Sequence, residues 1–129
     1  MATAVIRSFL GTLTLNRNVQ PSDPRMAVAT PTRQRHELGA LIAAVTAASE
    51  GWNAIYLGVD IPADEIAAAA MQTQARAVAI SISYPTDDGN LFYELQRLHR
   101  QLSSDVLLWT GGAGALRCRT LPKEVHAVH

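Results

Sequence analysis

Residues 26–58 read MAVATPTRQRHELGALIAAVTAASEGWNAIYLG, and this stretch decides the fold. Met26–Thr30 is a short apolar run stopped by Pro31, which predicts a buried strand. His36–Glu50 then shows helical spacing. Leu38, Leu41, Ile42, Val45 and Ala48 fall on one face, and Gly51 stands where a helix would end. Asn53–Leu57 reads as a second strand, closed by Gly58. A strand, a helix and a second strand in so short a span predict a parallel crossover unit.

The same alternation continues toward the C-terminus. Pro62 suits the first turn of the next helix, and Asp64 and Glu65 suit its positive end. That helix runs through the alanine-rich EIAAAAMQTQ. Ala77–Ser83 (AVAISIS) is a third strand, ended by Tyr84-Pro85, and Asp87-Asp88-Gly89 is turn chemistry. Asn90–Leu102 follows as a helix with Leu91, Leu95, Leu98 and Leu102 on one face. Asp105–Trp109 (DVLLW) is a fourth strand running into Thr110-Gly111-Gly112. The strands are apolar on both faces, as expected when helices cover both sides of a parallel sheet. The predicted class is α/β: a flavodoxin-like (Rossmann-like) open parallel sheet with helices on both faces. The order 2-1-3-4-5 is assumed from that class.

The two ends are less regular. Residues 1–25 form an extension or linker, and an edge strand, a helix or a remnant of an upstream region all remain open for it. Residues 26–129 form the domain. A short fifth strand fits near Val125–Val128, with no room after it for a full final helix.

Composition narrows the function. The 129 residues carry 11 basic and 11 acidic side chains, and a nucleic-acid binder usually shows a basic excess. No apolar run approaches the roughly 20 residues of a membrane span, and Met1–Leu15 is too polar for a signal peptide. The single cysteine, Cys118, excludes an internal disulfide and reads as an inert thiol. A cytoplasmic setting is expected.

In such a sheet, ligands bind beyond the carboxyl ends of the strands, where strand order reverses. The loops expected there are Pro31–Arg35 and Tyr84–Asp88. Thr30, Thr32, Gln34 and His36 follow strand one; Ser81 and Ser83 lie in strand three; Thr110, Gly111 and Gly112 follow strand four. A phospho-receiver site is excluded, because strand one ends in Thr30 rather than a carboxylate. No GxGxxG follows strand one, and no serine, histidine and acid arrangement suggests acyl transfer. TPTRQRHELG gives only a weak phosphate-loop signal.

Three elements in this order resemble the cobalamin (vitamin B12)-binding domain family. Its pattern is Asp-x-His-x-x-Gly after strand one, Ser-x-Leu in strand three and Gly-Gly after strand four. Here Gln34-Arg35-His36-Glu37-Leu38-Gly39, Ser81-Ile82-Ser83 and Gly111-Gly112 stand in those places. The stretch Met26–Gly112, about two thirds of the chain, looks most like the B12 domains of light-responsive MerR-type transcriptional regulators. HELGALIAAVTAASEGW, YLGVDIPADEIAAAA, AVAISISYPTDD and WTGG carry that likeness.

The resemblance implies base-off, His-on binding, with His36 replacing the cofactor's dimethylbenzimidazole as lower ligand to cobalt. Neutral imidazole suits such a metal, and a helix amino terminus beside His36 would disfavour its protonated form. Gly39, Gly111 and Gly112 would let backbone approach the displaced nucleotide tail, with Ser81 and Ser83 bonding it. The implied cofactor-binding set is Gln34, Arg35, His36, Glu37, Leu38, Gly39, Ser81, Ser83, Tyr84, Gly111 and Gly112, with His36 the metal ligand. Arg33 and Arg35 either pair with the corrin's amide oxygens or face water. His99, His126 and His129 are not expected to be ligands.

Three departures from the family stand out. The aspartate that orients the histidine is Gln34, which can accept the ring N–H bond but supplies no negative charge. The leucine of Ser-x-Leu is Ser83. The helical bundle that relatives place over the corrin has no counterpart in 25 residues. The expectation is a sensor or regulatory module, stand-alone or a fragment, and not an enzyme. The rival is a corrinoid carrier presenting cobalt to a methyltransferase or mutase partner. Hydroxo- or aquocobalamin is the expected form, with adenosyl and methyl forms as alternatives. A protein partner, either a regulator or a methyltransferase, is expected. A homo-oligomer stays open, and neither direct nucleic-acid nor membrane contact is expected.

Overall fold

The computed structural model describes residues 20–83, 90–112 and 126–128. Most of the N-terminal extension, Tyr84-Pro85, the Asp87–Gly89 turn and Cys118 lie outside the described residues. The elements run β1 (Arg25–Pro31), α1 (Leu38–Ser49), β2 (Asn53–Ile61), α2 (Ala63–Gln72), β3 (Ala77–Ser81), α3 (Asn90–Gln101), β4 (Leu107–Gly111) and β5 (His126–Val128). All neighbouring strands pair in parallel, in the order β2-β1-β3-β4-β5. That is the predicted α/β flavodoxin-like sheet, and its order reverses between β1 and β3. Among the described residues no helix is long and apolar enough to cross a membrane.

Strand alternation divides the core in two. Ala27, Ala29, Val78, Ile80 and Leu108 face α2 and α3, where Ile66, Leu95 and Leu98 pack on them. Met26, Val28 and Ala77 face α1 and meet Ala40, Ala44 and Ala47. Ile66, Leu95, Leu98 and Leu108 are each only 1% exposed. Burying one such side chain contributes roughly 1.5–3 kcal/mol, so the α2/α3 side is the heavier half of the core.

Several local predictions are corrected, among them the end of β3, which is Ser81 rather than Ser83. First, the buried face of α1 is Ala40, Leu41, Ala44, Ala47 and Ala48. Leu38 and Ile42, predicted to share the core stripe, are 42% and 51% exposed. The helix is apolar nearly all round, so spacing alone does not single out a face. The alanine side lets the helix lie close to the sheet, which leaves the larger residues on its flank.

Second, β2 does not stop at Gly58 but continues to Ile61. Val28 pairs with Tyr56, Ala29 with Gly58 and Pro31 with Ile61, so β2 carries two extra residues against β1. Gly58, at φ +122°, absorbs the first irregularity. Third, β4 begins at Leu107 rather than Asp105 and ends on Gly111, inside the expected turn. Helix α1 begins at Leu38, so His36 lies in the preceding loop rather than in the helix.

Candidate functional site

The site grows from the carboxyl ends of β1, β3 and β4. A cavity of about 630 Å³ runs down one face of the sheet from that edge, between α1 and strands β3 and β4. Such a volume suits a small-molecule ligand. The sheet side is lined by Ala79, Ser81 and Gly111, all small, and the helix side by Gly39, Ala43 and Ala47. Small residues on both walls are what keep this space open. The cavity also borders Trp52 and Trp109, whose rings meet edge to face at 6.0 Å. Thr110 borders it only through the main chain, because alternation puts its side chain beside Leu108 on the other face.

Gly39 and Ser81 belong to sequence elements about forty residues apart and come together at the cavity mouth. A β carbon on Gly39 would lie 2.7 Å from Ser81 Oγ and 3.9 Å from Ser83 Oγ. Ser81 is 6% exposed, and its hydroxyl makes no hydrogen bond to another described residue. The residue is largely buried, and its hydroxyl stands on a cavity wall, where it can donate to a ligand. Ser81 pairs with Gly111 across β3–β4, and Gly111 O accepts the Ile82 N–H at 2.9 Å. Gly112 has φ +99°, and a β carbon there would lie 2.5 Å from Ile82 O. Glycine at this position is required by the backbone itself as much as by any ligand.

The loop between β1 and α1 carries His36, which is exposed and lies three residues before the cavity-lining Gly39. Gln34 is 2% exposed, and its Oε1 accepts the Ser83 N–H at 3.0 Å. The amide thus ties the histidine loop to the end of β3. Thr30, fully buried, donates its hydroxyl to Gln34 O. Asp60 N–H donates to Thr30 Oγ1 at 2.7 Å, and Asp60 Oδ1 accepts the Arg33 N–H at 2.7 Å. Arg35 is 82% exposed, with its Nε 3.7 Å from Asp60 Oδ2. Glu37 Oε2 accepts the Tyr56 hydroxyl, which fixes the residue after His36 to β2. Glu94 of α3 accepts the Thr32 hydroxyl and the Ala63 N–H, both at 3.2 Å, and so braces the loop from the far side of the sheet.

Of the predicted site residues, Gly39, Ser81, Gly111 and Gly112 line the cavity together. Gln34, Arg35, His36, Glu37 and Leu38 form the loop and helix start that lead into Gly39 and are not among the cavity-lining residues, and Ser83 joins that loop through Gln34. Tyr84 lies outside the described residues. Sequence reasoning placed Thr30 at the strand end but missed Trp52, Trp109, Asp60 and Glu94. Trp109 was within reach, because it shares strand parity with Gly111. Asp60 was not, because its place depends on the two extra residues in β2.

Among the described residues no three His, Cys, Asp or Glu side chains cluster to hold a bare metal ion. A metal carried in its own macrocycle needs only one protein ligand, and an exposed histidine three residues before the wall of a cavity lined by small residues fits such a group.

Comparison with known proteins agrees with this geometry. Residues 24–128 match the B12 binding domain family. The HTH-type transcriptional repressor CarA of Myxococcus xanthus is 32% identical over 81 residues, 63% of this chain and 28% of the repressor. Two solved structures share the fold. A cobalamin-binding protein from Desulfitobacterium hafniense DCB-2 superposes with a TM-score of 0.58 at 17% identity, over 87% of this chain and 53% of that one. The monomethylamine corrinoid protein of Methanosarcina barkeri gives 0.59 at 18% identity, over 87% and 51%. The chain thus spans about a quarter of the repressor and about half of each structure. With the family matched over most of its length and the strand-end cavity in place, this chain belongs to the B12-binding domain family.

Proposed function

We propose that this domain holds cobalamin base-off and His-on, with His36 as the lower cobalt ligand and the nucleotide tail in the cavity between α1 and β3–β4. The observation that carries this reading is the meeting of Gly39 and Ser81 at the cavity mouth, three residues beyond His36. A cobalt corrinoid supplies an axially ligated metal whose upper position takes water, hydroxide or an alkyl group. The protein's part is to bind and orient. Ser81 offers its hydroxyl to the tail, Gly39 and Gly111 leave room for it, and the two tryptophans border its path. Gln34 orients the His36 ring through the amide as well as anchoring Ser83. Arg35 and Leu38, both exposed beside His36, meet the corrin edge, and Glu37 holds the loop. Tyr84 belongs to the proposed cofactor-binding set.

In this reading the domain is a sensor or regulatory module and not an enzyme, and it passes its signal through protein contacts. The repressor likeness, at 32% identity, favours this over a carrier role. The corrinoid carrier reading keeps one supporting observation, the shared fold with the monomethylamine corrinoid protein. Hydroxo- or aquocobalamin is the proposed resting form, with adenosyl and methyl forms as the alternatives.

The test is retention on desalting. Hydroxocobalamin should stay with the protein. Cobinamide, which lacks the nucleotide tail, should bind at least about tenfold more weakly, or about 1.4 kcal/mol. Equal affinity for the two would remove the tail from the cavity.

A further inference from the structure

The loop that carries His36 has no regular structure from Gln34 to Glu37, yet an axial ligand must be held closely in place. What holds it is found on β2. Arg33 adopts φ +71° and Asp60 φ +56°, two non-glycine residues in the left-handed region at one contact. Such conformations persist where surrounding structure over-determines them, and they concentrate at functional sites. Asp60 grips the loop twice. Its N–H donates to Thr30 Oγ1 at 2.7 Å and reaches Gln34 O at 3.2 Å. Its carboxylate accepts the Arg33 N–H at 2.7 Å and lies 3.7 Å from Arg35 Nε. Asp60 therefore bonds the main chain of both Arg33 and Gln34, two residues before His36.

We propose that Asp60 is a positioning residue for the His36 imidazole, setting the loop so that the ring meets cobalt; this rests on the reading of His36 as the ligand. The residue type fits the task. Aspartate and asparagine tolerate the left-handed region because a short polar side chain can bond locally. Alanine provides neither that tolerance nor an acceptor for the Arg33 N–H. The two extra residues of β2 are what bring Asp60 back over the loop. With Gln34 standing where the family carries its aspartate, the loop's anchoring carboxylate comes from Asp60 instead.

The test uses the full chain loaded with hydroxocobalamin and reduced to the cobalt(II) state. With the benzimidazole nitrogens of the cofactor labelled as 15N, electron paramagnetic resonance then shows whether a protein nitrogen lies below cobalt, because a 14N ligand splits each cobalt line into three and the labelled base into only two. Wild type should show the triplet, and His36→Ala should lose it. Asp60→Ala should retain its fold by circular dichroism, lose most of the triplet, and bind about tenfold more weakly, the scale of one lost charge-assisted hydrogen bond. Asp60→Asn keeps an acceptor and the backbone preference, so the triplet should return. A full triplet with wild-type affinity in Asp60→Ala overturns the proposal. So does loss of the triplet only in step with loss of helical signal in both variants. If His36→Ala keeps the triplet, the ligand assignment itself fails, and the Asp60 proposal falls with it.

Discussion

Gly39→Ala isolates the contact between α1 and β3. Two effects oppose each other. Alanine in a helix is favoured over glycine by about 0.5–1 kcal/mol. Against that, the new β carbon lies 2.7 Å from Ser81 Oγ, and overpacking of this kind costs about 1–3 kcal/mol. The hydroxyl can turn aside, which places the net loss at the low end, about 1 kcal/mol. Ser81→Ala alone should be nearly neutral, since the hydroxyl has no partner among the described residues. In the double variant the overlap is gone and the helix gain remains, so it should be about 0.5 kcal/mol more stable than wild type. The coupling is then about 1.5 kcal/mol, read by urea unfolding as a midpoint shift of roughly 0.5–1.5 M. Cobalamin titration supplies the second axis. Gly39→Ala should weaken binding, and Ser81→Ala should not restore it, because the β carbon still narrows the slot. Additive stabilities together with unchanged binding in Gly39→Ala would refute the packing argument.

Three further outcomes follow from the same geometry. Gly112→Val should destabilise the fold, not binding alone: its β carbon would lie 2.5 Å from Ile82 O at φ +99°, and the left-handed conformation by itself costs about 1–2 kcal/mol; wild-type thermal stability would contradict this. Asp64 is held below its ordinary value of 3.8 by hydrogen bonding from Gln101 and by Arg97. Its stabilising effect is therefore complete above that value and lost as pH falls through the lower folded one, so Gln101→Ala should reduce the loss of stability seen on acidification below about pH 4. Finally, hydroxocobalamin should bind in the dark at least as tightly as adenosylcobalamin. A tenfold preference for the adenosyl form, about 1.4 kcal/mol, would mean that a lid comes from outside the described residues or from a second copy.

How far the fold was legible depends on which pattern carried the information. Apolar runs of five to seven residues between turn signals gave the strands and their parallel pairing. They did not give the face of α1, because a helix with alanine on one side and Leu38 and Ile42 on another is apolar in both directions. The extension of β2 past Gly58 was hidden for a related reason: a glycine marks a bulge as readily as a strand end. The spacing of His36, Gly39, Ser81 and Gly111–Gly112 pointed to one site, and four of these residues line one cavity. Asp60 and Glu94 escaped notice because their roles are contacts across elements, set by register rather than by any local motif. Gly112 shows the reverse case, where a residue expected for ligand clearance is also demanded by the backbone.

The central claim is that His36 is the lower cobalt ligand in a base-off complex. The most direct test is the visible spectrum of wild type and His36→Ala after incubation with hydroxocobalamin and desalting. Circular dichroism should show the variant folded like wild type, so that a spectral difference reports on the ligand. The account predicts that wild type retains a histidine-ligated spectrum, whereas the variant retains less cofactor with a shifted one. Full retention with an identical spectrum in His36→Ala would contradict it.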